Sequence, residues 1–455
     1  MATLLPSYLG TAKLLPGSYG GGDQYGGNPS SVIFGQPLVS HLAPDGRWQY
    51  AAWYAPNNAL TLARRLVEAH EWDVITLPFG LNANDSHNCI ALGISTADGR
   101  LHVAAGQHND PVQYTASYAG FLDDGSQADW DASVFEPVGA TLLGTAVGEL
   151  TYPTFTTTPD GWLQFWYRNG GSGNGVMRLA EYVDGAWTLI GDVTSPDGAW
   201  TSNGATSLHR NLYWAHPVYG PGGWLHLAGV WREENTAVLC SPGMFTNHNV
   251  VYLRSPDDGR TWQTGAGDPA GETGSAPVHV GVSGIHLPSF GNCNLAPQVS
   301  DLALGPDDQV VILPDYVDPA ELTGSPKCVT SMDQRFQKAG EGPRWRYGSQ
   351  EWEAVMVKVN GATVRTGYPT GRKAATRGRV AIGPGGEMVI VFSGMRILSA
   401  PPPYTTWTVD EDGANTAYAF GEVGGVDRAR ESEGLLSVLY IQRDGRVRVR
   451  DIKLA

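Results

Sequence analysis

A two-residue turn of the Asp-Gly or Gly-Gly type, followed at once by a strongly apolar strand, recurs along these 455 residues. It stands at Asp45-Gly46 before residues 47–54, at Asp98-Gly99 before 100–105, at Asp160-Gly161 before 162–167 and at Gly222-Gly223 before 224–231. Further copies are Asp307-Asp308 before 310–313, Gly385-Gly386 before 388–392 and Asp444-Gly445 before 447–450. Such turns supply the positive φ that matches the twist of a hairpin. They lie roughly 50 to 85 residues apart, the scale of a four-stranded sheet with one long loop. Seven units of this kind predict an all-β chain folded as a seven-bladed β-propeller, in which radial repetition protects the edges of small sheets. A stacked solenoid would need shorter and more regular repeats.

Composition agrees. Gly (59), Pro (30) and Trp (15) are abundant and charged residues make up only 16%, a profile of short strands, tight turns and aromatic packing between sheets. No segment is rich enough in Gly, Ser or Pro to divide the chain. The expected organisation is an irregular N-terminal segment, residues 1–30, and a single catalytic propeller domain, residues 31–455. No apolar run is long enough to cross a bilayer. A net charge of −15 and a pI near 5.1 disfavour nucleic acid as a partner. An anionic substrate would have to be met by a local cluster of Arg, Lys or His. Residues 1–22 lack the charged and apolar blocks of a signal peptide, as a chain whose leader had been removed would, and the expected location is extracellular. The four cysteines, Cys89, Cys240, Cys293 and Cys328, show no short paired spacing, which leaves disulfides, free thiols and a metal site all open.

The chemistry-bearing residues fall in phase with the repeat. His87 precedes the hairpin turned at Asp98-Gly99 and His108 follows it, so antiparallel pairing brings both to one edge. By the same reasoning Tyr152 and Arg168 share an edge in the next unit, and Tyr213 and Arg232 in the one after. Each has a bland reading: a hydrogen-bonded turn histidine, a packed tyrosine before proline, a solvated arginine cap. Solvated caps need not coincide across three consecutive repeats, and these do.

Residues 255–262, Ser-Pro-Asp-Asp-Gly-Arg-Thr-Trp, match the Asp-box turn of sialidase-like propellers, a structural motif that lies away from the substrate end. Together with Asp85-Ser86-His87-Asn88, Gly106-x-His108-x-Asp110-Pro111-x-x-Tyr114, Thr151-Tyr152-Pro153-Thr154-Phe155, Tyr167-Arg168-x-Gly170-x-Ser172-Gly173-x-Gly175, Val230-Trp231-Arg232 and Thr246-Asn247-His248-Asn249, the chain resembles the BNR-type propeller polysaccharide lyases. That group comprises ulvan lyases and L-rhamnose-α-1,4-D-glucuronate lyases. The resemblance is specific over residues 80–265; beyond them it is only a general propeller pattern.

The resemblance implies β-elimination at a 4-linked uronate in a polysaccharide, by a monomer and without a cofactor for the chemistry. Arg168 would neutralise the carboxylate through a two-pronged contact. His108 and Tyr152 would remove and deliver protons, and His87 would orient the sugar or share that work. Asn88, Tyr213 and Arg232 would contact substrate. The acidic balance favours unsulfated rhamnosyl-glucuronate of plant gums over sulfated ulvan. Two rivals stand beside this. A sialidase-type hydrolase would draw its carboxylates from Asp85, Asp110 and Glu233, and a non-catalytic sugar-binding propeller would use Trp and Tyr faces as platforms. A structural zinc or calcium ion is the remaining metal expectation. Cys240, Cys293 and Cys328 with one of His248, His279 or His286 are the ligand types zinc takes, and buried thiols or a disulfide account for them equally.

Overall fold

The structure, a computed structural model, describes residues 7–12, 35–69, 71–81, 87–106, 108–202, 204–238, 247–287, 299–305, 309–317, 350–352, 355–357, 363–365, 378–392, 396–410, 422–442 and 445–454. Among these the chain is all-β, with strands in seven antiparallel sheets that succeed one another along the sequence. The first sheet is a meander of Leu38–Ala43, Gly46–Tyr54, Ala59–Leu66 and Asp73–Gly80. The second holds Ile90–Ser95, Arg100–Ala105 and Tyr114–Ala116, and the third is centred on Glu149–Thr157, Leu163–Gly171 and Asn174–Val183. The fourth contains Ala205–Trp214, Leu225–Glu233 and Asn247–Ser255, the fifth Val299–Leu304 and Val310–Val317, and the sixth Gly378–Ile382, Met388–Phe392 and Arg396–Ala400. Glu422–Asp427, Leu435–Ile441 and Arg446–Lys453 build the seventh.

The outer strand of the seventh sheet comes from the opposite end of the chain. Ser7–Thr11 pairs with Arg446–Lys453, Ser7 opposite Val449 and Thr11 opposite Arg446. This corrects the expectation that residues 1–30 are irregular throughout. Leu9 and Ala12 are buried with Leu439, Val447 and Val449 of the seventh sheet and with Leu38, Ala51 and Trp53 of the first. Burial between two sheets holds this short strand, and no local turn announces it.

Each alternating strand divides its side chains between two neighbours. From Gly46–Tyr54, Trp48, Tyr50, Ala52 and Tyr54 enter the core shared with the second sheet. Ala51 and Trp53 enter the core shared with the seventh. In Leu163–Gly171, Phe165 and Tyr167 face the second sheet while Trp166 faces the fourth. Period-two alternation therefore does not separate core from solvent here; it assigns residues to one interface or the other. The described residues form seven apolar clusters of this kind. Each joins consecutive sheets, and the last joins the seventh to the first.

The punctuating turns sit where the spacing predicts, with two qualifications. Asp45-Gly46, Asp98-Gly99, Asp160-Gly161 and Gly385-Gly386 join the first two meander strands of their sheets, and Gly161 takes the required positive φ, 84°. Gly445 instead links the second and third strands of the seventh sheet, because the N-terminal strand supplies the fourth and shifts the phase by one. Asp307-Asp308 and Asp444 lie outside the described residues.

The Asp-box folds as a self-contained turn. Asp257 Oδ1 accepts from the Thr261 amide at 2.8 Å and Oδ2 from the Thr261 hydroxyl at 2.8 Å, while Ser255 Oγ accepts from the Gly259 amide at 2.8 Å. Burial pushes the Asp257 carboxyl up, but the two bonds from Thr261 and one from the Ser255 hydroxyl, at 2.9 Å, hold it below its ordinary range. The turn delivers Trp262, 1% exposed, into the core between the third and fourth sheets, edge-on to Trp166 at 6.3 Å. It lies at the Ser255 end of Asn247–Ser255, whereas Arg232 pairs at the Asn247 end. Among the described residues no helix is long and apolar enough to cross a membrane.

Candidate functional site

The hairpin at Asp98-Gly99 pairs Ile90 with Ala105, which brings the segments before and after it together. The chain then changes sheets: His108–Pro111 leaves the second sheet and pairs with Glu149–Thr157 of the third, before Tyr114–Ala116 returns to the second. The His87 and His108 rings stack at 4.1 Å with 21° between their planes, and the His87 ring lies 6.0 Å from that of Tyr152. Both histidines are half-buried. A third histidine on the same hairpin behaves differently. His102 is fully buried, its Nδ1 paired with the Tyr114 hydroxyl at 2.6 Å, and burial pushes it down to about 3. It is a neutral core residue.

Two β-bulges shape the site around Thr151. Pairing passes from Leu150↔Asp110 to Thr151↔His108, leaving Asn109 as the extra residue. On the other side it passes from Thr151↔Arg168 to Thr154↔Trp166, so that Tyr152 and Pro153 together face Tyr167. Asn109 (φ 55°) and Tyr152 (φ 59°) are both left-handed. For a bulky residue that conformation costs about 1–2 kcal/mol, and a bulge re-aims the side chain it carries. The Tyr152 ring accordingly lies between the His87 ring and the Tyr213 ring, 5.9 Å from the latter.

Arg168 lies beneath this aromatic row, 1% exposed. Its Nη2 donates to Thr151 Oγ1 at 3.1 Å and Asn109 Oδ1 at 3.3 Å, and its Nη1 to the Tyr213 hydroxyl at 3.4 Å. The guanidinium carbon is 5.1 Å from the Tyr152 ring centre and 6.0 Å from that of Tyr213. Two bonds from Nη2 and one from Nη1 thus engage the guanidinium inside the protein. Arg232, half-buried, lies 5.9 Å from the Tyr213 ring centre. The Tyr213 hydroxyl also lies 3.1 Å from Ser172 Oγ. The Gly173 amide, next to Ser172, donates to Asn211 Oδ1 at 2.5 Å, tying the third sheet to the fourth.

The structure thus brings together His87, His108, Tyr152, Arg168, Tyr213 and Arg232 from three successive sheets. Asn88, next to His87 in the chain, is buried at 1% exposure. Cys89 beside it is a free buried thiol, pushed up to about 12 by burial. Of the carboxylates a hydrolase would need, Glu233 is buried and gripped by the Arg210 fork at 2.9 and 3.2 Å and by His248 at 2.9 Å. Burial acts against its charge, but hydrogen bonds from His248, Arg210 and Ser207 hold it below the usual carboxylate range, so it is no proton donor. Asp85 lies outside the described residues.

The zinc expectation also divides. His248 uses Nε2 on Glu233 and Nδ1 on Asn249, at 2.7 Å, and His286 Nε2 accepts from Trp231 at 3.1 Å. Among the described residues no group of three or more His, Cys, Asp or Glu is arranged to hold a metal ion. Cys240, Cys293 and Cys328 lie outside them. Sequence reasoning passed over Asn109 and gave Thr151 no role. The available signal was the tolerance of Asn for left-handed backbone.

A model described as "BNR repeat-containing family member" matches residues 48–364. The chain belongs to the BNR repeat-containing family. No curated protein matches this BNR-repeat chain. Among solved structures it is similar to the polysaccharide lyase Uly1, with 14% identity, a TM-score of 0.65 and all of both chains covered. It is similar also to a PL25 ulvan lyase bound to -[GlcA(1-4)Rha3S]-, with 11% identity, a TM-score of 0.59, and 98% of this chain and 95% of that one covered. A third likeness is the lectin BP39L from Burkholderia pseudomallei, with 11% identity, a TM-score of 0.52, and 93% and 97% covered. At such identities the likeness is one of fold.

Proposed function

We propose that this BNR-repeat chain is a polysaccharide lyase that cleaves the bond at O4 of a glucuronate by β-elimination. The seven sheets, joined in sequence by shared cores and tied end to end through the N-terminal strand, would be the blades of one closed propeller acting as a secreted monomer. The observation that carries the activity is the buried Arg168 cation beneath Tyr152 and Tyr213, beside the stacked His87–His108 pair.

Elimination begins when a base takes the C5 proton. The C5–H electrons form the C4=C5 double bond, the C4–O4 bond breaks, and O4 leaves with the neighbouring sugar and takes up a proton. His108 and Tyr152 remove and return protons between them, and His87, stacked on His108, orients it. A cation 5.1 Å from the Tyr152 ring favours negative charge there. It also favours the negative charge that accumulates at the uronate in the transition state. Arg232, half-buried beside Tyr213, is the arginine that meets the substrate carboxylate. No cofactor is required by these steps.

Rhamnose linked to O4 of glucuronate is the proposed substrate bond. Two polymers contain it. The acidic balance of the chain favours an unsulfated gum side chain, as for an L-rhamnose-α-1,4-D-glucuronate lyase. The likeness to an ulvan lyase solved with -[GlcA(1-4)Rha3S]- supports sulfated ulvan equally. The likeness to a lectin is the observation behind a non-catalytic sugar-binding reading. Product mass tests all of these. Elimination leaves the glucuronate side of the cut bond one water lighter than hydrolysis does, whether that side is released or stays on the polymer, while the departing sugar has the same mass either way. A glucuronate end of full hydrolytic mass would overturn elimination, and binding without any cleavage would favour the lectin reading.

A further inference from the structure

We propose that Thr151 is the positioning residue of this site: its hydroxyl, set between two left-handed bulges, fixes the Arg168 guanidinium beneath Tyr152 and Tyr213. A threonine hydroxyl has one proton to give and two lone pairs, and here all three are used. Oγ1 donates to Asn109 Oδ1 at 3.0 Å and accepts from the Asn109 amide at 2.9 Å and from Arg168 Nη2 at 3.1 Å. Thr151 is fully buried, so water does not substitute for any of these bonds.

The other holds on Arg168 are weaker. Its bonds to Asn109 and Tyr213 are long, at 3.3 and 3.4 Å, and its buried Nε has no partner. Thr151 therefore makes the shortest bond to the guanidinium and at the same time locks the Asn109 bulge that supplies a second acceptor. Valine at this position keeps the volume but takes the acceptor from the Asn109 amide and leaves Nη2 only its long bond to Asn109 Oδ1, and the guanidinium is then free to turn away from the tyrosines. Misplacing a charge by about 1 Å costs a catalytic site on the order of 100-fold.

The catalytic consequence rests on the lyase reading; the clamp itself does not. The test compares Thr151→Val, Thr151→Ser and Asn109→Gly in the full chain. Asn109→Gly suits the left-handed backbone (φ 55°) and removes only the Oδ1 acceptor. Arginine-selective ¹⁵N labelling, with Arg168→Lys to assign the signal, reads the Nη protons, and kcat and KM on gum arabic and ulvan read the chemistry. The expected result is a distinct, slowly exchanging Arg168 Nη signal in the wild type and Thr151→Ser, averaged out in Thr151→Val and weakened in Asn109→Gly. It comes with a kcat about 10- to 100-fold lower in Thr151→Val, KM changing less, and rates within a few-fold of wild type in Thr151→Ser. Retention of the Nη signal in Thr151→Val, or equal losses in Thr151→Ser, would overturn the clamp. An altered thermal midpoint with unchanged kcat would reduce Thr151 to a structural role and overturn the proposal too. Should Thr151→Val fail to fold, Asn109→Gly and Thr151→Ser decide by the same signals. If the wild type turns over neither polymer, the lyase reading falls while the Nη signal still decides the clamp.

Discussion

His87 and His108 stack at 4.1 Å across the boundary between two sheets. His87 leads into the second sheet, while His108 opens a strand that pairs with the third. The strand that changes sheets hands a histidine to Tyr152 and Arg168, and one bulge in its pairing, at Asn109, lets it do so. A site assembled at such a junction depends on side chains from several sheets at once, and its variants should lose activity without losing the fold.

Tyr152→Phe and Arg168→Ala are each expected to lower turnover by about 100-fold or more, the scale of a lost proton-transfer or charge-stabilising group. Arg168→Lys should fare little better, because an ammonium cannot reach Thr151, Asn109 and Tyr213 together. Initial rates on a uronate polymer, alongside circular dichroism, check this; near-normal rates in any of the three would count against the assignment.

The N-terminal strand is a stability element. Leu9, buried between the first and seventh sheets, should cost about 2–3 kcal/mol when cut to alanine, measured by urea unfolding. An irregular, undocked segment would show no change.

Asp257→Ala should cost about 1–3 kcal/mol, since the Asp-box amide and hydroxyl of Thr261 lose their acceptor. The turn lies at the end of the strand away from Arg232, so kcat should stay at the wild-type value. A fall in kcat without a fall in thermal midpoint would contradict that placement.

Glu431 gives the fold a pH dependence of its own. Burial pushes its carboxyl up to about 7 from an ordinary 4.5, partly offset by Arg428 and reinforced by Asp301 and Asp427. Arg428 bonds Glu431 at 2.7 Å and Asp301 at 2.5 Å. The folded state thus binds the Glu431 proton more tightly than the unfolded chain does. Its contribution to stability is fully present below 4.5 and is lost as pH rises through about 7. Thermal midpoints across that window should fall less steeply in Glu431→Gln; an unchanged slope would reject the linkage.

The sheet organisation was readable because its signals are local. Asp-Gly pairs specify their own turns, and the side chains of the Asp-box residues Ser255 and Asp257 bond within the motif, to Gly259 and Thr261. Ser7–Thr11 was not readable, since its partner strand is at the far end of the chain and five residues carry no period. The residues His87, His108, Tyr152 and Arg168 could be singled out by phase, but not the depth of each. Arg168 is buried because bulges at Asn109 and Tyr152 swing an aromatic ring over it, and a bulge shifts register without changing composition.

Ultraviolet absorbance of the conjugated C4=C5 uronate, followed during incubation with gum arabic and with ulvan, tests the central claim most directly. Elimination at rhamnose-linked glucuronate predicts a rise on at least one of the two polymers, absent in Tyr152→Phe. New reducing ends without that absorbance, or neither signal on either polymer, would contradict it.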